Sequence, residues 1–165
     1  MSAADIGKRL DRVRDEWIDR DLDGWLSLHR FYPGVVQRLQ KLVASPVQPI
    51  VITTKEGRFV SQLLQQQGVN LPEESIFGKE CKQPKHQIIR QLIEVTSKTP
   101  FSLWFVEDRL KTLQLVQQQA DLEFVRLYLA QWGYNTASER ETAEHHPRIR
   151  LLSLSQFGQD FSAWG

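Results

Sequence analysis

The chain has 165 residues, with 21 Lys and Arg against 20 Asp and Glu, giving a formal net charge of +1. That length suits one domain with a real core, and 25% charged with 41% apolar residues is ordinary soluble composition. The balanced charge offers none of the basic excess that nucleic-acid binding uses, and no apolar run approaches the ~20 residues of a membrane helix. A single cysteine, Cys81, forms no internal disulfide and has no nucleophile pattern around it. With the polar start "MSAADIGKRL", it leads us to expect a reducing, cytoplasmic location.

Residues 4–20 place Ile6, Leu10, Val13 and Trp17 at spacings of four, three and four, which predicts an amphipathic helix. "FYPGV" (31–35) interrupts it, and Val35, Val36, Leu39, Leu42 and Val43 predict a second helix entered through Pro33 and Gly34. "SPVQP" is a loop. "PIVIT" (49–53) is short, apolar and β-branched, the pattern of a strand buried on both faces. After the turn "TKEG", Phe59, Val60, Leu63 and Leu64 predict a helix ending at Gly68. "SIFG" (75–78) is a short strand, and Pro84 opens a helix carrying Ile88, Ile89, Leu92 and Ile93. "FSLWFVED" (101–108) is a strong strand, followed by a helix through Leu110, Leu113, Val116 and Ala120. "FVRLYLAQWGY" (124–134) and "IRLLSL" (149–154) complete the strands. This alternation predicts right-handed crossovers and a parallel sheet: one α/β domain preceded by a helical segment.

Ligands of such sheets bind at the carboxyl ends of the strands. Those ends carry Thr53, Thr54 and Lys55, then Glu107, Asp108 and Arg109, then Trp132, Gly133, Tyr134 and Asn135. The loop before the Pro84 helix adds Lys79, Lys82 and Lys85. Hydroxyls, a lysine and a carboxylate at one edge suit a phosphoryl group with a divalent cation. The hydroxyl and lysine would hold phosphate oxygens, and the carboxylate would hold Mg2+.

In this order, the motifs resemble the haloacid dehalogenase-like (HAD) phosphohydrolase superfamily. "VITTKEGRFVSQLLQQQGV" resembles its hydroxyl motif, with Thr53 in the hydroxyl position and Thr54 where Asn is frequent. "KECKQPKHQII" resembles its lysine motif; Lys85 begins the helix, and Lys82 is the rival. "LWFVEDR" resembles its acidic motif, with Asp108 as metal ligand and Glu107 beside it. "FYPGVVQRL" resembles the segment where the family's chain re-enters its core after a mobile cap. The resemblance spans roughly residues 31–136. It implies a three-layer Rossmann-like parallel sheet of the HAD type and Mg2+-dependent hydrolysis of a small phosphate monoester. A phospho-receiver domain gathers similar groups, but its phosphorylated Asp precedes the hydroxyl and its lysine comes last; here the carboxylate comes last.

Such a phosphatase also needs an Asp-x-Asp ending the central strand, one Asp attacking phosphorus and the other acting as acid and base. Asp21 and Asp23 of "DLDGW" have that spelling. The preceding "RVRDEWIDR" is helical in spacing and heavily charged, and such a strand would bury unpaired charge. Pro33 also follows Gly24 by only nine residues, too few for a helix or a cap. "DLDGW" therefore reads as the end of a cap or linker helix, with Gly24 as breaker. We expect residues 1–30 to be a cap or linker segment and 31–165 an incomplete HAD-like core, without the N-terminal strand and most of the cap. The reading frame is then shortened, or the chain is a natural inactive relative; the ladder edges left open beside a missing central strand favour the first. The alternative is a non-catalytic module for phosphate binding or protein interaction. The histidines His86, His145 and His146 lack ligand spacing, and the five Trp residues read as packing groups.

Overall fold

A computed structural model describes residues 2–96 and 100–165. Helix α1 (Ala3–Arg20) begins with a capping box: the Ser2 hydroxyl accepts from Asp5 N–H, and the Asp5 carboxylate accepts from Ser2 N–H. A sharp corner at Asp21 leads into α2 (Leu22–Ser27). Helix α3 (Val35–Val43) follows Gly34, whose φ of 81° is left-handed. Strand β1 (Val51–Ile52) pairs in parallel with β2 (Ile76–Phe77) across the connecting α4 (Gly57–Gln66). Then come α5 (Lys85–Thr96), β3 (Trp104–Glu107), α6 (Leu110–Gln117), β4 (Arg126–Ala130), α7 (Ala137–Glu144), β5 (Ile149–Leu152) and α8 (Leu154–Phe157). Strands β3, β4 and β5 form a second parallel sheet in that order, with Phe105 opposite Leu127 and Leu127 opposite Ile149.

The protein is therefore mixed α/β with parallel pairing throughout. The expected strands appear, but as two sheets of two and three strands instead of one. Strand β1 has only two ladder residues and pairs only with β2, while β3 pairs on one side with β4. One edge of β1 and one edge of β3 are thus without a ladder partner among the described residues. Ile52 of β1 nevertheless packs against the core of the larger sheet.

That core follows the period-two pattern of a pleated strand. Phe105, Leu127, Leu129 and Ile149 face Ile89, Leu110, Leu113, Val116 and Ala143, supplied by α5, α6 and α7. Tyr128 and Leu152 point to the opposite face, where they meet Trp164 with Trp104, Trp132, Phe157 and Phe161 packed around them. Arg38 is buried there too, its guanidinium 4.8 Å from the Phe161 ring centre and 3.6 Å from Asp160. A third cluster joins Trp25 and Leu26 of α2 to Phe59 and Leu63 of α4, with Ile18 of α1 against it. Ile18, Leu22, Trp25 and Leu26 of the N-terminal segment thus share buried surface with the core segment.

Several boundaries differ from the sequence pattern. "FVRLYLAQWGY" is a strand only over its middle, because Phe124 is half exposed and Trp132–Tyr134 turn back over the strand end. Helix α7, which apolar periodicity does not reveal, is set by the capping box of Thr136 and Glu139. No helix among the described residues is long and apolar enough to cross a membrane.

Candidate functional site

Lys85 is the first residue of α5, positioned by Pro84, whose fixed φ suits the start of a helix. A cation there works against the helix dipole, so it needs a partner. The partner is Glu107, the last residue of β3: Lys85 Nζ donates to Glu107 Oε2 at 2.5 Å. Glu107 is 5% exposed. Its Oε1 accepts from Asp108 N–H at 3.1 Å and Arg109 N–H at 3.0 Å. Both carboxylate oxygens are therefore engaged. Burial pushes the Glu107 pKa above the ordinary glutamate range, against the opposing pull of Lys85.

Asp108 is half-buried beside it. Its Oδ2 accepts from Tyr134 N–H at 3.0 Å. Burial pushes its pKa up, but the Tyr134 N–H and neighbouring hydrogen bonds outweigh burial and hold it below the usual aspartate range. The two adjacent carboxyls are thus driven in opposite directions, a pattern common where acid and base roles divide. Asn135 Nδ2 donates to the Asp108 and Ala130 carbonyls at 3.0 and 2.8 Å, and Arg140 Nη1 donates to Asn135 Oδ1 at 2.9 Å. The β4 end is thereby fastened over the β3 end. Gly133 permits the approach: a Cβ there would lie 2.2 Å from Asp108 Cβ.

On the other side of Lys85, Thr53 follows the end of β1 and donates its N–H to Phe77 O at 2.9 Å. Its hydroxyl accepts from Lys55 N–H at 3.1 Å, capping the turn. Thr53 and Thr54 line a cavity of about 450 Å3 with Lys79, Lys82, Lys85 and Arg14. A second cavity of about 240 Å3 is lined by Lys85, Glu107, Asp108, Tyr32 and Trp132. Lys85 borders both, so it joins the hydroxyl end of β1 to the carboxylate end of β3. Lys82, the alternative motif lysine, stands in the first cavity at a left-handed φ of 49°.

The loop carrying these lysines is held by Glu80. Its two carboxylate oxygens each lie 3.1 Å from Gly57 N–H, an anion at the N-terminus of α4. Lys79 N–H donates to Lys55 O at 2.8 Å. Sequence reasoning passed over Glu80 and the Asn135–Arg140 clamp. Both act through long-range contacts with backbone groups that spacing does not reveal.

Among the described residues no three His, Cys, Asp or Glu side chains gather as a preformed metal cluster. Of the two Asp108 carboxylate oxygens, Oδ2 accepts from the Tyr134 N–H. One carboxylate oxygen suffices for Mg2+ when a bound phosphate and water supply the remainder, so Asp108 fits that ion. Glu107 would have to give up Lys85 to join it.

Asp21 and Asp23 are elsewhere. Asp21 Oδ1 accepts from Gly24 N–H at 2.9 Å as the N-cap of α2, and Asp23 is exposed in that helix's first turn. Gly24 lies inside α2, so the helix break expected there falls at Asp21 instead. Neither residue lines the two cavities beside Lys85. Asp21→Ala is expected to cost about 1 kcal/mol in thermal denaturation through the lost cap, with phosphate binding unchanged. Weakened phosphate binding at unchanged stability would instead place Asp21 in the site. His145 Nδ1 lies 2.8 Å from Glu141 O, and His146 Nδ1 accepts from Arg148 N–H at 3.2 Å. Both histidines serve local turns.

No protein family, curated protein or solved structure is matched by this chain.

Proposed function

We propose that this chain carries the phosphate-binding half of a HAD-like phosphohydrolase site. The observation that supports it best is Lys85, which bridges a cavity with Thr53 to one with Asp108. Thr53 and Lys85 orient the phosphoryl group, and Lys79 and Lys82 add positive charge around it. Glu107 aims Lys85. Asp108 holds Mg2+, which supplies neutralisation of charge on the phosphoryl oxygens. The open edges of β1 and β3, at strands whose ends meet at Lys85, are compatible with a Rossmann-like sheet of the HAD type lacking a strand between them.

On this reading the protein binds a phosphate ester and turns it over weakly or not at all. Glu107 is fully engaged, and Asp21 and Asp23 lie away from the cleft, so neither set supplies an attacking carboxylate. That observation also supports the second reading, a phosphate-binding module without catalysis. Calorimetric titration with p-nitrophenyl phosphate in the presence of Mg2+ tests the shared part. Binding is expected, and Asp108→Ala should weaken the Mg2+-dependent component at least about tenfold, the order of one lost charge-assisted contact. No heat from folded protein would count against a phosphate site. Release of p-nitrophenol that depends on Asp108 separates the enzyme from the binding module.

A further inference from the structure

Helix α1 presents an apolar stripe to solvent: Ile6, Leu10, Val13 and Trp17 are 48, 65, 57 and 41% exposed. The helix is anchored elsewhere. Ile18 packs against the Trp25 cluster, and Asp11 and Arg14 border the lysine-rich cavity. Residues 11, 14 and 18 follow residues 10, 13 and 17 by one position, so the stripe is rotated by about 100° from the anchored face. Spacings of four, three and four are those of the a and d positions of a coiled-coil seam. A seam needs a second helix, and the charges on α1 indicate which one.

Along α1, residues 5–14 carry Lys8, Arg9, Arg12 and Arg14 against Asp5 and Asp11, and residues 15–20 carry Asp15, Glu16 and Asp19 against Arg20. Such a helix complements its own reverse. With two copies antiparallel, Leu10 meets Val13 of the second copy and Ile6 meets Trp17. Arg9, flanking the seam, then faces Glu16 of the second copy, and this pair occurs twice by symmetry. Parallel pairing sets Arg9 against Arg14, a like-charged pair. We propose that α1 is a homodimerisation helix and that two copies of the chain pair through it in antiparallel orientation. This interface is independent of the phosphate site and does not rest on its reading.

Sedimentation equilibrium of the full chain across a dilution series tests the pairing. A mass of twice 19.2 kDa is expected at the upper end, falling toward 19.2 kDa on dilution. Leu10→Glu should hold the mass at 19.2 kDa at every concentration with an unchanged thermal melt, because Leu10 is exposed in the single chain. Arg9→Glu should weaken the dimer about tenfold by turning two surface attractions into repulsions. Adding Glu16→Arg to it should restore the wild-type constant. A wild-type chain that stays monomeric throughout, or a dimer that survives Leu10→Glu, overturns the proposal. Tightening by Arg9→Glu overturns the antiparallel arrangement, since it would relieve the Arg9–Arg14 repulsion of the parallel one.

Discussion

Glu107→Ala should lower stability by about 2–4 kcal/mol in urea denaturation at neutral pH, while Glu107→Gln should change it by less than about 1 kcal/mol. The alanine leaves the Asp108 and Arg109 N–H groups and the Lys85 ammonium without the acceptor they share. Lys85 is a quarter exposed and can turn to water, which keeps the loss near the lower end for a broken buried pair. The glutamine keeps an oxygen for the two backbone donors and removes the buried charge. An alanine variant as stable as the wild type would show that this carboxylate does not hold the strand end together.

The same substitution has a pH signature. Burial, the largest influence, raises the Glu107 pKa in the fold above its unfolded value. A raised pKa means that the fold takes up the proton more readily. The stabilisation is complete below the ordinary glutamate pKa and is lost as pH rises through the raised one. Asp108 runs the other way: its lowered pKa gives stability above the ordinary aspartate pKa that is lost as pH falls through the lowered one. Glu107→Gln removes only the first contribution. The stability of wild type relative to this variant should therefore improve from neutral pH toward the acid range. A difference that moves toward the wild type as pH rises would mean that the Lys85 pairing outweighs burial.

Gly78→Ala is the second large effect. A Cβ at Gly78 would lie 2.2 Å from Gly57 N and 2.5 Å from both Glu80 carboxylate oxygens. Gly78 has an ordinary φ of −94°, so the obstacle is space and not backbone angle. The nearest atom belongs to backbone, which cannot swing aside. The expected cost is about 2–4 kcal/mol, combining overpacking with loss of the Glu80 cap on α4. The same shift moves Lys79 and Lys82 relative to Thr53, so phosphate affinity should fall with stability. Both are read on one sample, by thermal melt and by titration with inorganic phosphate. A variant with wild-type melting would show that the loop is not clamped at Gly78.

The elements of this protein were largely legible along the chain. Apolar spacing marked α1, α3, α4, α5 and α6, and β-branched runs marked the strands, because a regular element repeats its faces at a fixed period. Helix α7 has too little apolar surface to show that period, and only the Thr136–Glu139 cap discloses it. "PIVIT" reads as a full strand, yet only Val51 and Ile52 form ladder pairs. Ladder pairs require a neighbour, and β2, the strand beside β1, is itself only two residues long.

The amino-acid order by itself determined the residue types at the strand ends: Thr53 after β1, Lys85 at the start of α5, and Glu107 with Asp108 after β3. It also determined that "DLDGW" lies in charged helical surroundings. Only the tertiary structure decided what those groups do to one another. It put Lys85 on the buried Glu107, left one oxygen of Asp108 free of the Tyr134 N–H, and tied the lysine loop to α4 through Glu80. It also turned the apolar stripe of α1, which the sequence alone would assign to a core, outward to solvent. Local patterns follow from the period of a single element, whereas pairing, burial and exposure depend on contacts between residues far apart in the chain, which no local pattern records.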